Sequence, residues 1–153
     1  MTKDRSIYFL LASVFLLGKA PVAPGTVTTL IAGVPCFLAA GRFPWQMQLF
    51  FAGALFWIGW YVSGKAEREL CAIDPGEIVI DELCGYLVAM AGHAVSFSSV
   101  VTGVLLFRLF DIWKPWPIRE VERQLTGGAA IMADDVLAGI YANVLGLIIL
   151  KLV

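Results

Sequence analysis

The sequence predicts an all-α fold: a multihelical integral membrane protein with short transmembrane helices in hairpins and polar connectors between them. Three observations lead there. Apolar residues make up 59% of the 153-residue chain and charged residues only 15%, with a mean hydropathy of +0.83. A soluble domain needs more charge than that to cover its surface. The apolar residues also fall in long runs rather than in stripes of helical or strand period. Finally, the charged residues gather in the segments between those runs. The length, with no repeat or linker, predicts a single domain over 1–153.

The first run, 6–17, stops at Gly18, a residue suited to a helix C-terminus. As a helix it reaches roughly 18 Å against a hydrocarbon core of ~30 Å, so it is expected at the interface or partway into the bilayer. A cleavable signal peptide is the rival reading, with Lys3 and Arg5 as its basic end. Pro21 after the cut and the later apolar runs count against it. The connector 18–27 is stiffened by Pro21 and Pro24, and Gly25 permits close backbone approach. Thr26 opens the second helix, over 28–40, where free N–H groups can bind an anion. Residues 41–44 are a tight turn. The third run, 45–62, is the clearest span, with Trp45, Trp57, Trp60 and Tyr61 as interfacial anchors.

A polar segment, 63–82, begins with a solvated helix face and turns at Asp74-Pro75-Gly76, a type II turn by its Pro and Gly positions. The fourth run, 83–107, is interrupted by Gly92, His93, Ser96, Ser98 and Ser99. That predicts a helical hairpin, with a single tilted span as the alternative. In the connector 108–135, Pro117 can start a helix with Ile118, Val121 and Leu125 on its apolar face and Arg119 and Arg123 toward headgroups, ended by Gly127-Gly128. The last span is 136–153.

With 28–62 and 83–107 as hairpins, the N-terminus and all three connectors share one side. Lys3, Arg5, Lys19, Lys65, Arg68, Arg108, Lys114, Arg119 and Arg123 lie there, nine of the eleven basic residues; only Arg42 and Lys151 lie opposite. The positive-inside bias makes the connectors cytoplasmic, and they are expected to form the active site. A net charge of −1 and the lack of a basic tract exclude nucleic acid as a partner. Cys36, Cys71 and Cys84 are too few and too scattered for a disulfide framework or a zinc site. The lone His93 reads as a turn residue.

The chemistry-bearing residues are acidic. Asp81-Glu82 opens the fourth run, Asp111 follows its end, and Asp134-Asp135 opens the fifth. Helix capping explains one carboxylate per helix, but not adjacent pairs twice. Repelling carboxylates held together need a cation, and hard oxygen donors suit magnesium. Asp81, Glu82, Asp134 and Asp135 are therefore the expected metal ligands. Arg108, Asp111 and Lys114, at i, i+3 and i+6, are expected along one helical face.

Four strings then resemble a known family: Pro21-x-x-Pro24-Gly25-Thr26, Ile80-Asp81-Glu82-x-x-Gly85, the block from Phe107-Arg108 through Phe110-Asp111, Trp113-Lys114 and Pro115-Trp116-Pro117-Ile118, and Asp134-Asp135-x-x-Ala138-Gly139. In this order they are similar to phosphatidylglycerophosphatase A. One departure is Thr28-Thr29, where that family usually carries Gly-Ser. The resemblance implies a phosphoric monoester hydrolase that converts phosphatidylglycerol phosphate to phosphatidylglycerol, with magnesium, at the cytoplasmic face of a bacterial inner membrane. It makes Asp81, Glu82, Arg108, Asp111, Asp134 and Asp135 the expected catalytic residues. Thr26, Arg108, Lys114 and Arg119 become the expected phosphate contacts. A small cation carrier is the competing function. Its carboxylates belong at mid-membrane, whereas these lie at span ends beside cations.

Overall fold

The computed structural model describes residues 6–152, so Lys3 and Arg5 of the charge count lie outside the described residues. Every regular element among them is helical. The first helix, α1 (Ile7–Ala12), is capped by Ser6, whose hydroxyl accepts the Tyr8 N–H. It is shorter than the expected 6–17. Val14, Phe15 and Leu16 all take positive φ, and Ser13 Oγ accepts the Leu16 N–H at 3.2 Å, which turns the chain back. At six residues, about 9 Å, α1 is far too short to span a bilayer.

The next helix starts at Pro24, four residues earlier than expected, with proline at its first position, where a missing N–H costs nothing. It runs continuously as α2 (Pro24–Thr28), a π-helical stretch (Thr29–Gly33) and α3 (Val34–Ala40). Thr29 Oγ1 back-bonds to the Gly25 carbonyl at 3.0 Å where the helix widens. Pro35, which removes an i→i−4 bond, sits just beyond the widened turn.

Pro44 precedes α4 (Trp45–Leu70), which continues eight residues past the expected end. The type II turn at Asp74-Pro75-Gly76 does not form. Asp74 itself takes φ 44°, its N–H held by Glu67 Oε1, and the hydrogen-bonded turn runs from Pro75 C=O to Ile78 N–H. Aspartate tolerates that conformation because its short side chain bonds locally.

The fourth apolar run is two helices, α5 (Ile80–Met90) and α6 (Phe97–Trp113), joined through Gly92 at φ 81°. His93 lies in that connection as expected, but buried. The short helix α7 (Ile118–Gln124) ends before the Gly127-Gly128 pair, and α8 (Gly128–Leu152) begins within it. Asp134 and Asp135 therefore lie in the second turn of α8, not at its start. Capping cannot explain them, because the first-turn N–H groups are already behind them.

The core is built around α5, which α8 crosses backbone to backbone. A Cβ on Gly139 would strike the Gly85 carbonyl, and one on Gly85 would strike the Asp135 carbonyl and the Phe107 ring. Such crossings need small residues at both surfaces. Gly128 meets Trp60 and Gly64 in the same way, tying the start of α8 to the later part of α4. At the far end, Asn143 of α8 donates to the carbonyls of Val88, Ala89 and Ala91, closing the C-terminus of α5. Gly41 faces Val95 there and Gly92 faces Trp45, so the 41–44 and 91–96 turns share one end of the bundle.

Two helices, α4 and α8, are long and apolar enough to cross a membrane, and only 28% of the apolar window of each is buried. A soluble protein's core helix would bury most of that window. The uncovered surface instead presents Phe50, Trp57, Ile58, Leu105, Val144 and Ile148, a patch compatible with a membrane location.

The α5–α8 crossing yields a stability test. Gly139→Ala places a Cβ against backbone, which cannot move aside cheaply, and should cost about 1–3 kcal/mol. Gly53→Ala, with open space around the added Cβ, should be neutral or slightly stabilising. Thermal unfolding in detergent measures both; equal midpoints would remove the crossing as a constraint.

Candidate active site

Four chain segments meet at the end of the bundle opposite Asn143. The first turn of α5 brings Asp81 and Glu82, and the second turn of α8 brings Asp135. Ligand atoms of these three carboxylates all lie within 4.8 Å of one another. Asp81 and Asp135 are buried, at 8% and 3% exposure. One oxygen of each of the three, Asp81 Oδ1, Glu82 Oε2 and Asp135 Oδ2, is buried without a hydrogen-bond partner. Three carboxylates this close repel one another, and unpaired buried oxygens are costly. A divalent cation answers both problems, and the all-oxygen donor set fits magnesium.

The third segment is the C-terminal part of α6. Arg108 Nη1 lies 2.8 Å from Asp111 Oδ2, one helical step on. Asp111 in turn stands beside Asp135. Arg108 Nε is buried with no partner. The fourth is the start of α2. A Cβ at Gly25 would run into the Glu82 carboxylate and come within 3.0 Å of Arg108 Nη1. The chain can approach both groups only because residue 25 is glycine. The first-turn N–H groups of Gly25 and Thr26 thus open beside the carboxylates and the guanidinium, with Thr26 at the third helical position.

Three expected placements differ. Lys114 is not on the helical face of Arg108 and Asp111. The helix ends at Trp113, and Lys114 takes φ 46°, which swings its side chain across to α8 and α7. There Nζ bonds Asp134 Oδ2 at 2.7 Å and Glu122 Oε1 at 2.9 Å. Burial works against the ammonium, but the bonds and charges of Asp134 and Glu122 outweigh it and hold the Lys114 pKa above its ordinary value. Asp134, in turn, is spoken for by Lys114 and lies outside the three-carboxylate group. The phase of α8 here turns Asp134 toward Lys114 and Asp135 toward the other two acids.

Arg119 is not brought to the cluster. It is exposed, and its Nη2 donates to the Trp113 carbonyl. Two residues near the site went unread in the sequence. Glu122 lies on α7, whose amphipathic pattern gives no hint that it reaches Lys114. Asp74 was read only as a turn former, yet it lines the same cavity as Glu122 and Asp134. Burial raises its pKa, and the Lys114 charge partly offsets that.

Comparison with known proteins agrees with the strings read above. The model of the family described as PgpA, Phosphatidylglycerophosphatase A, matches residues 10–150. The chain is 36% identical over 141 residues to phosphatidylglycerophosphatase A of Escherichia coli, covering 92% of this chain and 81% of the relative. It is 36% identical over 134 residues to the enzyme of that name from Haemophilus influenzae, covering 87% and 82%. A protein of Bacteroides thetaiotaomicron named as a putative phosphatidylinositol-3-phosphatase is 33% identical over 152 residues, covering 95% and 94%. No solved structure matches.

The Lys114 bridge makes a measurable claim. Lys114→Met leaves the mostly buried Asp134 without its cation and should destabilise the fold by about 2–3 kcal/mol. Adding Asp134→Leu should recover part of that loss. Denaturation of the single and double variants measures the coupling; strictly additive effects would show that the two groups do not support each other.

Proposed function

The chain belongs to the phosphatidylglycerophosphatase A family, and from that premise we propose that it hydrolyses phosphatidylglycerol phosphate to phosphatidylglycerol and phosphate in phospholipid biosynthesis. The observation that carries this reading is the convergence of three carboxylates, each with one buried oxygen lacking a partner, with an arginine and a helix start. The carboxylates suit a cation, and the arginine and helix N–H groups suit the phosphate that the cation would accompany.

In this reading Asp81, Glu82 and Asp135 hold magnesium. Magnesium, when bound, supplies positive charge against the phosphate. Asp134 acts one step away, through Lys114. Arg108 presents its fork to the phosphoryl oxygens, where charge grows as water adds to phosphorus and the alcohol leaves. Asp111 holds that fork in place. The N–H groups of Gly25 and Thr26 add fixed donors with no reorganisation cost. Lys114, paired with two carboxylates, positions Asp134 rather than gripping the phosphate, and Arg119 meets headgroups at the surface.

The same reading makes the chain one multi-pass domain in a bacterial inner membrane, with the site facing the cytoplasm. The basic count supports that orientation. So does the gathering of the 20–23, 71–79 and 114–117 connectors near the site, opposite the 41–44 and 91–96 turns. A cation carrier is not favoured, because Arg108 and Lys114 stand beside the carboxylates and would repel a passing ion.

Two tests follow. Phosphate release from phosphatidylglycerol phosphate in detergent should require magnesium, stop with chelator and return when magnesium is restored; full activity in chelator would refute the metal assignment. Arg108→Lys should retain charge but lose turnover by about 100- to 1000-fold. Arg123→Lys, on the exposed face of α7, should be nearly silent. Equal, small losses in folded variants would reduce Arg108 to an anchor.

A further inference from the structure

The sequence expects α7 to lay Ile118, Val121 and Leu125 on the membrane, yet Ile118 is fully buried in the core with Phe107, Phe110 and Ala138. The large apolar groups left outside on this flank are Ile112, Trp113 and Trp116, at 74%, 62% and 76% exposure. We propose that the 112–116 surface docks into the headgroup layer of the bilayer leaflet on the site's side and holds the carboxylate cluster at the depth of the lipid phosphates. The proposal rests on the membrane and phosphatase readings above and adds which surface sets that depth.

The two indoles are displayed on a pinned backbone. The Trp113 carbonyl accepts from Arg119 Nη2 at 3.4 Å, and the Trp116 carbonyl accepts from the Tyr141 hydroxyl at 3.1 Å. The turn is held in place while its side chains stay outside. A bilayer is the occupant because this surface continues another. Along α6, Leu105, Leu109 and Ile112 are exposed at helical spacing, and Trp113 and Trp116 stand where that apolar stripe ends. Arg119 and Glu120 flank the rings around a hollow of about 360 Å³. Indoles beside charges at the end of an apolar stripe match the membrane–water interface, where tryptophan concentrates. A protein partner favours tryptophan too, but one seated on the turn would leave the stripe behind it uncovered.

The level of this surface matches that of the site. Tyr141 follows Asp135 by six positions, about 9 Å along α8, and a helical side chain slants back toward its helix N-terminus. The Trp116 carbonyl that Tyr141 holds therefore lies alongside the site rather than beyond the end of the bundle. On the other flank, a Cβ at Gly59 would lie 3.6 Å from Ile80 and press on Met132. The exposed Trp57 and Trp60 of α4 thus stand level with the start of α5, where Asp81 and Glu82 are. Both α4 and α6 pack on the α5–α8 pair, so aromatic groups on two flanks share the level of the cluster. A lipid phosphate at that level meets the site without leaving its bilayer.

Depth is read with a nitroxide on Trp116→Cys, and on Thr126→Cys as the water-side control, in a Cys36→Ser, Cys71→Ser background; Cys84 is buried and Thr126 exposed. The full-length protein is placed in phosphatidylethanolamine–phosphatidylglycerol vesicles. The ratio of collisions with oxygen to collisions with a water-soluble nickel chelate should be about threefold higher, or more, at 116 than at 126. Equal ratios overturn the proposal. Few collisions of either kind at 116 put protein over the surface, a second copy or a partner, and overturn lipid as the occupant. Function is read with Trp113→Ser/Trp116→Ser, its fold checked by thermal unfolding. Turnover of long-chain phosphatidylglycerol phosphate in vesicles should fall about tenfold, while turnover of a dihexanoyl analogue dissolved as monomer stays within about twofold. Trp113→Tyr/Trp116→Tyr should restore most of the vesicle activity. Equal losses on both substrates overturn the docking role. Should the serine variant misfold, the depth profile alone decides. Turnover with equal collision ratios refutes only the docking, whereas the expected depth profile without turnover of either substrate refutes only the phosphatase reading.

Discussion

Like charges held together govern this structure. Asp81, Glu82 and Asp135 bring ligand oxygens within 4.8 Å in a place largely closed to water. Water cannot relieve that repulsion, so the surroundings must. Arg108 stands against Glu82 and Asp111, and Lys114 spans Asp134 and Glu122. Each of these cations comes from the α6 end and reaches across to a carboxylate on another turn or another helix. Even so, one oxygen on each of Asp81, Glu82 and Asp135 stays without a partner. A protein that needed only stability would have replaced them with apolar groups of similar size. Their retention argues for a ligand that completes them.

The close approach that produces this crowding is a matter of missing side chains. Gly85 and Gly139 let α5 and α8 touch through their backbones, and Gly25 lets the start of α2 reach Glu82 and Arg108. The acidic pairs and these glycines are one device: the glycines set the distance, and the distance gives the acids their chemistry. The apolar exterior of α4 and α8 belongs to the same logic. With the outward faces given to an apolar patch, the clustered carboxylates are gathered at one end of the bundle. The far end is closed by uncharged means, as in the three carbonyls gathered by Asn143.

Much of this was legible in the sequence. The helical class follows from the apolar runs, and the acids of the cluster stood out because adjacent carboxylates lack a capping explanation. The misreadings share a cause. Helix bounds taken from hydropathy stop where charge begins, yet α8 starts at Gly128, well before its apolar stretch, and α4 continues through Lys65, Glu67 and Arg68. Backbone hydrogen bonding does not end because a side chain becomes polar. The other failures are left-handed residues that are not glycine: Val14 to Leu16, Asp74 and Lys114. Tertiary contacts dictate those conformations, so no local propensity announces them. Glu122 went unread for that reason, since it meets Lys114 only after the chain has turned at that lysine.

The phase of α8 carries the last step. Because Asp134 and Asp135 are neighbours on a helix, they point about 100° apart. Asp135 looks toward the start of α5 and joins the carboxylate cluster. Asp134 looks toward Lys114 and the cavity beside the 71–74 loop. A pair that reads as duplicated ligands is thus a branch point, with one arm in the three-carboxylate group and one paired with the Lys114 ammonium. The two arms are rigidly linked through a single turn of helix whose position is set by the Gly85–Gly139 crossing. Whatever binds at the cluster therefore meets the Lys114–Asp134 pair at a fixed distance and angle. That fixed relation, more than any single carboxylate, is what a helix offers here that a loop could not.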